Sequence, residues 1–240
     1  MQPRNVPATG PRYWTAISIA SVFGANLGDF VSHDLHLGHI RGVLPLALVF
    51  TVIFLTERRA KSRTEVYYWL AIITLRTAAT NLADFATHDL RLGFGLVIAG
   101  LAALLLALLL FERFVTSAAD APNGLPPPNG RYWAAMLIAG TLGTALGDAL
   151  SDGLGLGVGL ASALLGVVLL AVFCLRAQPA FVTKESYWLT IVAVRTAGTT
   201  VGDLLAHSLR LEPSTAVSGL LLAGTLLLWK ERPAPVLRRA

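Results

Sequence analysis

Gly24-Ala25-Asn26-Leu27-Gly28-Asp29-Phe30-Val31-Ser32-His33 decides the fold, because its pattern of residue types returns three more times. The returns run from Ala79 to His88, from Gly143 to Asp152 and from Gly198 to His207. In each copy two small residues four apart precede an Asp, and four residues beyond it stands His33, His88, Asp152 or His207. Each Asp also falls fifteen residues after the Trp of a Tyr-Trp pair, with Trp14, Trp69, Trp133 and Trp188 as the tryptophans. Four such coincidences mark an internal repeat, and the repeat sets how the rest of the chain is read.

Around this stretch the chain is strongly apolar. Its 240 residues include only 14% charged residues, with a mean hydropathy of +0.64, against about 25% charged in ordinary soluble domains. This composition points to an integral membrane protein. The formal net charge of +5 does not imply a nucleic-acid partner, since Lys and Arg sit in short runs between apolar segments and fit membrane orientation better. Cys174, the single cysteine, excludes an intramolecular disulfide and a thiolate metal cage.

Each Tyr-Trp pair opens an apolar segment of about 20 residues, long enough to cross a hydrocarbon core of about 30 Å as a helix. A short turn and a second apolar segment follow, so each unit reads as two helices. The fold class is therefore all-α: eight transmembrane helices as four two-helix repeats. Residues 1–12 read as a disordered cytoplasmic tail, 13–114 as the first half, 115–130 as a Pro/Gly linker, 131–229 as the second half and 230–240 as a basic cytoplasmic tail. The second helix of unit one is expected over Val43 to Leu55, with Pro45 near its start.

Fourteen Lys and Arg lie between units or in the tails, and three lie in the within-unit turns. This asymmetry places both termini in the cytoplasm and the turns outside. Arg76 and Arg195 stand seven residues after Trp69 and Trp188, where units one and three have Ser21 and Gly140. The alternation predicts a duplicated four-helix half, with pseudo-twofold symmetry on an approximate fourfold.

Residues four apart share a helix face, so each Asp and its partner present two ligands one turn apart. Fifteen residues of helix place the Asp about 22 Å beyond its Trp, in the outer part of the membrane. Carboxylates at such depth are costly and mark pathways. The expected site is a cage of Asp29, His33, Asp84, His88, Asp148, Asp152, Asp203 and His207 for a divalent metal ion of the Mn, Fe, Co or Zn type. Arg76 and Arg195 are candidates for gating or counter-charge. Asp34, His36, His39 and Asp89 would form a cation-attracting outer mouth, and the four tryptophans would anchor at the membrane interface. The small-residue pairs allow close helix approach.

The Tyr-Trp start, Gly-Asp centre and Leu-Gly turn resemble a family of bacterial membrane-anchored proteins built of four tandem copies of a two-helix repeat of unknown function. Unit two departs from the pattern with Ala79 and Ala83, and unit four with Leu211-Glu212. The resemblance implies the topology and a bacterial inner-membrane location, and no activity. From the residues, the expected function is a transporter of divalent cations with the lipid bilayer as its environment, open to proton coupling and to homo-oligomerisation. Haem held by His pairs, and a structural or accessory role in which the Asp groups only bond across the bundle, are the rivals. With no nucleophile elbow, phosphate loop or zinc-protease motif, the reading is not an enzyme.

Overall fold

The computed structural model describes residues 7–60, 64–115, 126 and 128–229. Most of the linker, the basic tail at 230–240 and part of the N-terminal tail lie outside the described residues. The helices among them are α1 (Pro11–Asp29), α2 (His39–Arg59), α3 (Val66–Asp84), α4 (Phe94–Val115), α5 (Gly130–Asp148), α6 (Gly157–Arg176), α7 (Lys184–Leu209) and α8 (Leu211–Leu228). The protein is all-helical in these residues, and each unit contributes an inner helix followed by an outer one.

The inner helices α1, α3, α5 and α7 touch one another in a closed ring, in that order. The small residues explain how closely they approach. A Cβ on Gly28 would lie 2.7 Å from Thr80, one on Gly147 3.0 Å from Thr199, and one on Gly202 2.8 Å from Asn26. Gly24 admits the stem of Arg76, Gly143 admits that of Arg195, and Gly198 admits Ser21. Each glycine lets a larger residue of the neighbouring helix sit against its backbone, which is how helices associate where no hydrophobic effect separates them from lipid.

Each outer helix lies on the inner helix of the next unit, and α8 also touches its own α7. α2 lies on α3, α4 on α5, α6 on α7, and α8 returns to α1. Their outward faces carry exposed Leu44, Leu104, Leu170 and Leu220, as a lipid-facing surface requires.

Six helices among the described residues are long and apolar enough to cross a membrane: α2, α4, α5, α6, α7 and α8. The other two of the eight expected segments, α1 and α3, fall outside that group. Both belong to the inner ring, and buried Ser21 and Asn26 on α1 and Arg76, Thr77, Thr80 and Asn81 on α3 lower their apolar character. A helix enclosed by other helices need not resemble lipid.

Three of the four Asp residues end their α-helix and pass into a five-residue π turn: Phe30–Asp34, Phe85–Asp89 and Ala149–Gly153. Its signature is the bond from residue i+5 back to residue i, seen from the Leu35, Leu90 and Leu154 amides to the Phe30, Phe85 and Ala149 carbonyls at 3.0, 2.9 and 2.8 Å. Left-handed residues then reverse the chain: His36 with Gly38, Arg91 with Gly93, and Gly155 with Gly157. In unit four Glu212 replaces the second glycine. There α7 runs unbroken to Leu209 and the single residue Arg210, at φ 72°, makes the reversal.

One expectation for α2 is also corrected. The helix begins at His39, so Pro45 lies in its interior. The proline withholds its N–H from the Arg41 carbonyl.

Candidate functional site: the axial polar column

The inner helices carry polar groups at four levels, eight residues or fewer apart. At one end the hydroxyls of Tyr13, Tyr68, Tyr132 and Tyr187 form a closed square of hydrogen bonds. Tyr13 is 3.0 Å from Tyr68 and 2.6 Å from Tyr187, and Tyr132 is 2.6 Å from Tyr68 and 2.8 Å from Tyr187. All four rings are buried. A phenol has one proton to give, so the square lets each hydroxyl donate once and accept once.

Around the square stand the tryptophans. Each packs against the tyrosine of the preceding unit: Trp69 on Tyr13, Trp133 on Tyr68, Trp188 on Tyr132 and Trp14 on Tyr187, at centroid distances of 5.8, 5.7, 5.6 and 5.7 Å. Trp69, Trp133 and Trp188 are buried and Trp14 half-buried. The expected anchoring role is corrected to this extent: three of the four rings hold the bundle end together rather than facing outward. Arg176 of α6 lies over Trp14 at 4.5 Å, a cation–π contact.

Eight residues beyond Tyr68 and Tyr187, about 12 Å along the helix, Arg76 and Arg195 are both buried in the bundle. Arg76 is held by hydroxyls alone: Nη1 donates to Thr80 and Thr144 at 2.8 and 2.7 Å, Nη2 to Thr199 at 2.6 Å and Nε to Ser21 at 3.4 Å. These bonds tie α3 to α1, α5 and α7 in one cross-section. Arg195, its counterpart across the pseudo-twofold, takes another course and meets Met136 Sδ at 3.6 Å.

Another eight residues on come Asp29, Asp84, Asp148 and Asp203. Asp84 and Asp148 are buried, and Asp29 and Asp203 are partly buried. The carboxylates act on one another electrostatically, and Arg76 acts on Asp29, Asp148 and Asp203. Asp148 Oδ2 is buried without a hydrogen-bond partner among the described residues. The four aspartates thus share a field at one level.

The second layer is placed differently. His33, His88, Asp152 and His207 are exposed at the rim. His88 Nδ1 is 3.9 Å from Asp84 Oδ1. Among the described residues no group of three or more His, Cys, Asp or Glu side chains is arranged to hold a metal ion. The expected closed cage of eight ligands is therefore corrected. In three units the second residue of the pair sits in a π turn, which has more residues per turn than an α-helix.

The outer-mouth residues gather on one side only. His39 Nδ1 lies 3.0 Å from Asp89 Oδ1, and the His39 and His33 rings meet edge to face at 5.4 Å. Asp34 and His36 are exposed nearby. Units three and four have Val158 and Pro213 in place of His39, so no such bridge forms there.

The tyrosine square and the threonine belt were not foreseen. Their signal was present, since Tyr recurs as strictly as Asp and Thr80, Thr144 and Thr199 occupy one repeat position. Membrane interfaces favour Tyr as well as Trp, which conceals a tyrosine whose hydroxyl turns inward.

An inner ring bearing buried charge, wrapped by apolar helices, defines a membrane-like helical bundle of internal repeats. The family model described as Repeat of Unknown Function (DUF347) matches residues 12–63, 131–178 and 186–232. The chain belongs to this repeat family. The unmatched second unit follows the same scheme of inner helix, π turn and outer helix. No curated protein and no solved structure matches the chain.

Proposed function

We propose that this chain carries divalent metal cations across a bacterial inner membrane, along the axis of its four inner helices. In this reading all eight helices cross the bilayer, with α1 and α3 admitted as inner members. Both termini lie in the cytoplasm, because most Lys and Arg flank the tyrosine end. The supporting observation is the acidic layer of Asp29, Asp84, Asp148 and Asp203, electrostatically coupled and partly or fully buried. Carboxylates enclosed in a membrane bundle select for cations by charge.

The ligand spacing narrows how a cation is held. With no three-ligand group among the described residues, the acidic layer retains a cation with part of its water shell. The exposed His33, His88, Asp152 and His207 supply the approach. The tyrosine square closes the opposite end of the axis in this conformation and has to open for passage. That closure also favours a second reading, a non-transporting structural bundle.

Reconstituted vesicles loaded with a metal-sensitive dye separate the two. Uptake of Mn²⁺, Fe²⁺, Co²⁺ or Zn²⁺ by the wild type, falling at least tenfold in the Asp29→Asn/Asp148→Asn protein, is the expected result. Wild-type uptake in a folded double variant defeats the proposal.

A further inference from the structure

We infer that Arg195 binds a small monovalent inorganic anion, of the chloride class, on the bundle axis between the threonine belt and the tyrosine square. The inference stands apart from the cation reading and does not require it.

Arg195 is the most enclosed cation of the column, at 0% exposure. A guanidinium carries five N–H donors and stays protonated in proteins. In Arg195 the Nε and Nη1 nitrogens, which hold three of those five, have no hydrogen-bond partner among the described residues. The sulfur of Met136, a weak acceptor, is the contact at Nη2. No carboxylate lies within ion-pair distance of Arg195 among the described residues. Buried charges are normally paired and hydrogen-bonded, whereas Arg195 has no carboxylate partner and a single weak bond to sulfur among the described residues.

The same repeat position on the same kind of helix is satisfied in unit two by four hydroxyl groups. Thr199, one turn beyond Arg195 and its natural partner, is taken by Arg76 at 2.6 Å and turns its own proton to the Arg195 carbonyl or to Thr144. Unit three offers Gly140 where unit one offers Ser21, so the hydroxyl that meets Arg76 Nε has no equivalent for Arg195. The phenol oxygens bond to one another within the square, and none accepts from Arg195.

Its own aspartate, Asp203, begins about 12 Å away along the helix. The helices pack tightly at this level, where a Cβ on Gly140 would lie 2.8 Å from that of Ala79. That cross-section suits a single compact ion better than an organic carboxylate. Two like charges in one cross-section then share a counter-charge that no side chain of the bundle supplies at bonding distance.

Equilibrium dialysis of the detergent-purified full chain against ³⁶Cl⁻, at constant ionic strength with gluconate as the balancing ion, tests this. Saturable binding approaching one chloride per chain is expected, with loss of at least tenfold in affinity in Arg195→Gln and no change in Arg12→Gln. Absence of saturable binding in the folded wild type overturns the inference, and so does unchanged binding in Arg195→Gln. If Arg195→Gln yields no folded protein, Arg195→Lys is read in its place. An at least tenfold weakening there sustains the site, and wild-type affinity overturns it, because a lysine ammonium cannot reproduce the directed donors of a guanidinium.

Discussion

At the scale of single residues, two kinds of side chain decide how this bundle closes. The glycines of the repeated stretch are needed for space. A Cβ on Gly143 would stand 2.9 Å from backbone atoms of Arg195 and Thr196, which cannot rotate away. Gly143→Ala is expected to cost about 1–3 kcal/mol, the usual range for overpacking, in reversible unfolding from mixed micelles. Gly95→Ala, where nothing lies within 4 Å, is expected to be neutral or to stabilise α4 by up to about 1 kcal/mol, as helix propensity dictates. The tyrosines are needed for their protons. Tyr68→Phe leaves the Tyr13 and Tyr132 hydroxyls each short of a partner, and about 1–3 kcal/mol should be lost in the same assay. Replacing all four by Phe removes every unmet group together and should cost less than four times the single change. Additive losses would mean that the square is not a cooperative network.

At the scale of elements, the units were legible in outline and illegible in their joints. Asp29, Asp84, Asp148 and Asp203 could be found by counting from each Trp, and so could the inner and outer helix of every unit, because both follow from periodicity. The π turns could not, since Phe30–Asp34 and Leu204–Ser208 look alike by composition, yet one is a π turn and the other is α-helix. The difference lies farther along, where Gly38, Gly93 and Gly157 permit a left-handed residue and Glu212 does not. Gly93 has φ 72° and no atom within 4 Å of a prospective Cβ, so strain and not crowding is the cost there. Gly93→Ala should lose about 1–2 kcal/mol, the penalty of a left-handed conformation for a residue with a Cβ. A neutral result would show that the turn re-forms with the single-residue reversal of unit four. The closed ligand cage failed because burial does not follow from spacing: the four aspartates are partly or fully buried, while His33, His88, Asp152 and His207 stand exposed at the rim.

At the scale of the molecule, burial of Arg76 and Arg195 could not be read from their place in the chain, because which face of a helix turns inward depends on how four helices meet. The sidedness can still be tested from sequence logic. In a Cys174→Ser background, cysteines at His36, Leu92 and Leu154 should react with a membrane-impermeant maleimide in intact spheroplasts, and a cysteine at Lys184 only after permeabilisation. Labelling of both groups from one face would contradict the arrangement of these three turns on the side opposite Lys184.

Because α4 lies on α5 and α8 on α1, each half lends its last helix to the other, as two hands clasp. A half made alone would show lipid an inner helix stripped of its cover, and two copies of one half could satisfy each other by the same exchange. The chain is thus a tethered exchange partner of itself. Cut between residues 115 and 130, its two fragments should remain insoluble or self-paired apart and should reassemble when made together. On the same logic, a two-unit chain has to pair with a second copy before its inner helices are covered.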